Sequence, residues 1–236
     1  MKKSTRTLIG IPLVLAIGWL PGCIPKPAEY GRETITFAPR YGPRTIAVAP
    51  AVNLSGQSQP DPLLQADIVF QQIQSVRGVT VIPVNRVVQV CAGLGIRNIE
   101  SREQAIAVCE ALGSDALVVP TITTFDPYDP PKMAASLQLF VSKYRDRSGN
   151  IDVRQLSRQA TDGPVQLLPQ NADFIQAAHL FDGASGSTRD RLSAFAAGRN
   201  DPYGALGERE FYLNMDKYAS FVWHELIDEV FDRFAD

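Results

Sequence analysis

The chain has 236 residues, 45% of them hydrophobic and 20% charged, and a formal net charge of −2. That balance belongs to a folded globular protein rather than a disordered or fibrous one, and the mildly acidic sign argues against a nucleic-acid partner held through phosphate contacts. Three cysteines and two histidines, with no Cys-x-x-Cys pair, leave little for a Cys/His metal site, and no cofactor is expected.

Lys2, Lys3 and Arg6 open the chain, an apolar run follows from Leu8 to Leu20, and Leu20-Pro21-Gly22-Cys23 closes it. The run is too short to cross about 30 Å of hydrocarbon as a helix. A charged start, a short apolar stretch and a small residue before a Cys are processing signals, not a fold element. The segment resembles a bacterial lipoprotein signal ending in a lipobox. That resemblance implies loss of residues 1–22 and a new N-terminus at Cys23, whose sulfur takes a diacylglycerol and whose amine takes a further acyl chain such as palmitate. Two or more chains hold a protein stably, at about 0.8 kcal/mol per buried methylene. Ile24 follows Cys23. In enterobacterial lipoproteins an Asp there retains the protein at the inner membrane, so the resemblance favours the outer membrane, facing the periplasm. Processing takes Lys2, Lys3 and Arg6 away, so Lys and Arg fall from 23 to 20 against 25 Asp and Glu, and the net charge goes from −2 to −5.

Residues 23–43 read as a tether after the lipidated Cys. Pro25, Pro27, Pro39 and Pro43 block helix and stiffen the segment, which at full extension reaches about 65 Å. It serves either as a spacer clearing the membrane or, around Thr34–Ala38, as an added edge strand.

A single α/β domain is expected over residues 44–236, with a core at 44–124 and an extension at 125–236. Thr45–Ala49 is a short apolar strand and Asn53–Gln57 a turn-rich loop. Asp61 caps a helix that has Pro62 at its first position. Ala66, Val69, Ile73 and Val76 carry that helix to about residue 76, and Gly78 ends it. Val79–Ile82 is a second strand. Asn85 caps a short helix through Val87, Val88 and Cys91, broken by Gly93 and Gly95. Ser101 and Gln104 form a capping box opening a helix through Ala105, Val108, Cys109 and Leu112, stopped by Gly113. Asp115–Thr123 is a third strand, in which Pro120 suggests a bulge or sheet edge. The order strand–helix–strand–helix–helix–strand predicts a layered sheet with packed helices.

Ile46-Ala47-Val48-Ala49-Pro50 followed by Asn53-Leu54-Ser55-Gly56, and later Ala111-Leu112-Gly113-Ser114-Asp115-Ala116-Leu117-Val118-Val119, stand in the order found in envelope domains of the curli secretion-channel lipoprotein family and the TolB amino-terminal domain. Residues 44–124 resemble those domains, which act as assembly parts and binding modules. Pro120 departs from the pattern, where Gly is common. The chain has no pair of long membrane-inserting hairpins, so pore formation is not carried over.

The extension opens on the Pro-rich turn Asp126–Pro131. A strand at 134–144 follows, with Leu137, Leu139 and Val141 alternating. Lys143, Arg145, Arg147, Arg154 and Arg158 form a basic patch that could face anionic lipid headgroups or a polyanionic glycan; the interspersed acidic residues favour a solvated hairpin. Phe174–Phe181 is a returning strand and Thr188–Ala197 a short helix with Leu192, Phe195 and Ala196 inward. A long amphipathic helix closes the chain: Phe211, Met215, Tyr218, Val222, Leu226, Val230 and Phe234 recur every three or four residues, widened by Ala219, Trp223, Ile227 and Phe231. Glu225, Asp228, Glu229 and Asp232 lie largely opposite.

Chemistry-bearing patterns are sparse. His224 and Asp228 share a helix face as two metal ligands could, but no third ligand is assigned and His179 is distant in sequence. Gly183–Ser187 lacks the spacing of a nucleophile elbow. Backbone N–H groups at Asn53–Gly56 could face an anion ahead of the helix at Pro62. Asp126, Tyr128 and Asp129 are not spaced as a calcium loop. Cys91 and Cys109 are a candidate disulfide in an oxidising compartment, equally readable as two buried thiols on separate helices. The expectation is therefore a lipid-anchored, non-enzymatic assembly, scaffolding or adaptor module with an envelope protein partner and the membrane as its support. A small-ligand or glycan-binding lipoprotein, with a concave apolar pocket, is the alternative. An envelope hydrolase or metalloprotein, with His179 and His224 close together about a carboxylate, comes after it.

Overall fold

A computed structural model describes residues 43–142, 174–201 and 203–235. The signal segment, Cys23, the tether up to residue 42 and the basic patch at 143–158 lie outside the described residues.

The core is a mixed sheet flanked by helices on both faces. β1 (Thr45–Val48), β3 (Thr80–Ile82) and β4 (Ala116–Asp126) run parallel, and β5 (Lys132–Val141) and β6 (Phe174–Asp182) continue antiparallel, in the order β3-β1-β4-β5-β6. β2 (Val52–Asn53) extends the line of β1 along β4, pairing Val52 with Thr121 and Asn53 with Ile122. The sequence reads Asn53 as the start of a loop and assigns Val52 to no element.

The apolar run Ala116–Val119 is buried on both sides, as a covered strand requires. Ala116, Val118 and Ile122 join the larger core with α1 (Pro62–Gln74), α4 (Gly186–Ala196) and α6 (Met215–Ala235). Leu117 and Val119 face the smaller core under α2 (Val84–Gly93) and α3 (Arg102–Leu112). Cys91 and Cys109 lie in that smaller core, both buried and both thiols.

Local capping signals set the helix starts. Asp61 Oδ1 accepts from the N–H groups of Leu63 at 2.9 Å and Leu64 at 2.8 Å. Ser101 and Gln104 form the reciprocal box, and Gly113 ends α3 at φ +67°. Asn85 does not cap α2. The helix begins at Val84, so the cap position moves two residues back to Pro83, which makes no side-chain bond.

Pro120 is not at an open edge. Val118 O accepts from Ala49 N–H at 2.9 Å and Ile122 O from Leu54 N–H at 2.8 Å. Pro120, two residues from each, therefore turns its nitrogen to that same side, opposite the interval between β1 and β2 where no N–H is called for. A register shift between Ile122 and Thr124 follows.

The closing helix is divided. α5 (Glu210–Leu213) stops at Asn214, whose Oδ1 accepts from Asp216 N–H at 2.9 Å and Lys217 N–H at 3.3 Å, starting α6 afresh. Tyr218, Ala219, Phe221, Val222, Trp223, Leu226, Ile227, Val230 and Phe231 of α6 are buried, each large one contributing about 1.5–3 kcal/mol. Its acidic face is partly engaged: Glu225 pairs with Arg191 of α4 at 2.9 Å, and Glu229 with His179 of β6 at 2.6 Å.

Candidate functional site

Strand direction separates the two ends of the domain. At one end Asp115 gathers the start of β1 and the end of β5. Its Oδ2 accepts from the N–H groups of Arg44 at 3.1 Å and Thr45 at 3.0 Å, and its carbonyl accepts from Ser142 N–H at 2.8 Å. β4 then runs eleven residues, about 35 Å at the usual rise, to the far end. There the loops 54–61, 127–131 and 183–185 lie.

An open groove of about 600 Å³ occupies the far end, walled by the loop Ser55–Gln59 and by Thr123–Tyr128. One wall is fixed by Asn53. Its Nδ2 donates to the carbonyls of Gln57 at 2.9 Å and Pro60 at 3.3 Å, and its Oδ1 accepts from Ser55 N–H at 3.0 Å and Ser55 Oγ at 2.7 Å. The other wall is fixed by Asp126 Oδ1, which accepts from Tyr128 N–H at 3.2 Å, and by Thr123 Oγ1, which donates to Ala134 O at 3.3 Å. The turn is held on β6 by Gly183, whose N–H donates to Pro131 O at 2.8 Å; a Cβ at Gly183 would come within 2.9 Å of Pro131. The concavity is polar, not the apolar pocket expected of a small-ligand binder. The ring of Tyr128 stands in solvent, 79% exposed.

The same bonds dispose of the anion reading of Asn53–Gly56. Leu54, Ser55 and Gln57 N–H groups already donate to Ile122 O, Asn53 Oδ1 and Ser55 Oγ. The Asp61 carboxylate occupies the start of α1, so an incoming anion meets a negative charge there.

The second surface is β6, last strand of the sheet among the described residues. Gly183 N–H points back to the β5 side, and backbone groups alternate along a strand. Residues 177, 179 and 181 therefore bond to β5, and residues 176, 178 and 180 turn their backbone outward. Arg233 Nη1 of α6 donates to the outward Gln176 carbonyl at 2.6 Å. Beyond it Ala178 and Leu180 are exposed, Leu180 at 61%.

The histidines have separate neighbours. His179 pairs with Glu229, which Arg233 also grips. His224 is 6% exposed, its ring centroid 4.9 Å from that of Phe195, and its Nδ1 has no hydrogen-bond partner among the described residues. Burial first, and then the Arg199 guanidinium, push its pKa from 6.5 down to about 4. It is a neutral core side chain. Among the described residues no group of three or more His, Cys, Asp or Glu could hold a metal ion, and no helix is long and apolar enough to cross a membrane.

No family model and no curated protein matches the chain. Solved structures share parts of the fold at low identity. The LpoB C-terminal domain of Salmonella enterica superposes with a TM-score of 0.35 at 15% identity, covering 43% of this chain and 73% of that one. Lipoprotein GNA1162 of Neisseria meningitidis gives 0.41 at 18%, covering 65% and 94%. The PelC dodecamer of Paraburkholderia phytofirmans gives 0.35 at 8%, covering 86% and 94%. These three are LpoB, GNA1162 and PelC domains rather than curli-channel or TolB ones. The superpositions are loose, and nothing about function is carried over from them.

Sequence reasoning finds both groove loops as turns but not their meeting. That depends on the two-residue pairing of β2 with β4, which leaves no periodicity to read. Thr123 passes as the last residue of the third strand, and Thr124 falls just beyond it.

Proposed function

We propose that the protein is a lipid-anchored bacterial envelope lipoprotein, held through acyl chains on Cys23 and facing the periplasm from the outer membrane. There it acts as a non-enzymatic assembly or adaptor module. Its partner is an envelope protein, docked by strand addition along β6. The observation that carries the reading is the outward backbone of Ala178 and Leu180 on nine-residue β6, the last strand of the sheet among the described residues. Such an edge is a template for pairing unless it is blocked, and among the described residues Arg233 blocks it only at Gln176.

Two measurements test it. Intact mass of membrane-extracted protein should start at Cys23 with acyl chains added, and Cys23→Ala should lose them. A photo-crosslinker at Leu180 should give a discrete envelope-protein adduct in cells. Ala178→Pro removes an outward N–H without touching the β5 ladder, and should abolish that adduct while leaving the melting temperature nearly unchanged. An unacylated mature mass overturns the anchor. An adduct indifferent to Ala178→Pro overturns strand addition.

A further inference from the structure

We propose that the far-end groove is a carbohydrate-binding site, with the exposed ring of Tyr128 as its stacking platform. This goes beyond the adaptor reading and does not depend on the lipid anchor.

The chemistry of the walls selects the ligand class. Gln57, Ser58, Gln59 and Thr124 present hydroxyls and amides that both donate and accept, while Ser55 and Thr123, whose hydroxyl protons go to Asn53 Oδ1 and Ala134 O, offer acceptors. Vicinal sugar hydroxyls need such groups, since each hydroxyl also does both. Among the described residues no Lys, Arg or His lines the groove, so those residues give a phosphate or an acidic chain no counter-charge. Asp126, the one charged lining group among the described residues, spends part of its acceptor capacity on Tyr128 N–H and has more to offer. It repels anions and favours neutral or cationic sugars. Lipid is disfavoured, because Phe125 is turned into the core and the exposed apolar surface is mainly Tyr128.

Shape and stiffness point the same way. A volume of about 600 Å³ falls within the range of about 300–1,000 Å³ typical of small-ligand sites. The groove is open, so a chain can lie along it with its ends free. Its walls are held by the Asn53 and Asp126 bonds before any ligand arrives, which lowers the ordering cost of binding. The negative face of a tyrosine ring attracts the partly positive C–H face of a pyranose, as it attracts other ring edges.

The test is titration calorimetry of the full-length protein in a detergent without sugar headgroups, using chitotetraose, maltotetraose and tetragalacturonate as probes. Saturable binding of at least one neutral tetrasaccharide is expected, with no binding of the galacturonate. Tyr128→Ala should weaken it by about tenfold, equivalent to about 1.4 kcal/mol, and Tyr128→Phe should preserve it because the ring face is the contact. Tyr128 is exposed, so neither change threatens folding. Cys23→Ala should bind as the parent does, which separates this outcome from the fate of the anchor. No saturation by either neutral sugar up to about 10 mM, preference for the galacturonate, or indifference to Tyr128→Ala overturns the proposal.

Discussion

The indole Nε1 of Trp223 donates to Oε1 of Gln65 at 2.9 Å, and both side chains are buried, Trp223 at 0% and Gln65 at 1% exposure. The bond joins α6 to α1 across 158 positions of sequence. Gln65 stands on the buried stripe of α1, where a polar side chain is tolerated only with a partner. Gln65→Leu orphans the indole N–H and should cost about 1–3 kcal/mol, lowering the melting temperature by about 2–4 °C per kcal/mol for a domain of this size. Trp223→Phe should cost more through lost packing. In the double variant the Gln65 change should cost less than it does alone, because no donor is left to orphan. Strict additivity in that cycle sinks the account.

The capping box on α3 has a separable value. Ser101→Ala removes the acceptor for Gln104 N–H and should cost about 0.5–2 kcal/mol. Ser101→Asp should retain most of the stability. Thermal melts of the two variants decide it, and equal losses would mean that the box contributes nothing.

Those caps were legible in sequence because each is settled within four residues. The buried stripe of α6 was legible for the same reason, since helical periodicity is local. Phe221 falls outside the positions that period picks out, and His224, which shares a face with Asp228 in sequence, belongs to the core. The break at Asn214 escaped because the apolar period runs straight through it. Pro120 misled for another reason. A proline reads as an edge unless the register is known, and here the gap between β1 and β2 receives it. The groove depends on the same register. Strand pairing is a property of partners far apart in the chain, so its consequences do not show in any short window.

The disulfide proposed for Cys91 and Cys109 has its test in alkylation. Both side chains lie in the smaller core as thiols, and burial raises the pKa of Cys91, which starves it of reactive thiolate. The native protein should therefore react slowly with iodoacetamide at neutral pH. A bond made during export, before α2 and α3 close over the pair, shows as denatured protein that gains no adduct without reductant and two with it. Two adducts without reductant show that the thiols stay reduced. Rapid labelling of the native state would contradict their burial.

His224 makes stability depend on pH in a defined window. Its unfolded value is near 6.5 and its folded value is pushed down to about 4 by burial and by Arg199. Between those values the unfolded chain holds a proton that the folded chain does not, so stability rises with pH across the window. The contribution is fully present above about pH 6.5, falls as the pH drops toward 4, and reaches about 3 kcal/mol in total. Arg199 sharpens the effect. Its guanidinium sits 4.2 Å from the Phe195 ring centroid, and that ring lies against His224, so a protonated imidazole would face a fixed positive charge without a hydrogen-bond partner for Nδ1. His224→Leu removes the titrating group and keeps the volume roughly filled. Urea melts between pH 4 and 7 should show the parent losing stability toward acid and the Leu variant losing about 3 kcal/mol less over the same range. Parallel curves for the two proteins would mean that His224 is not the buried neutral group described.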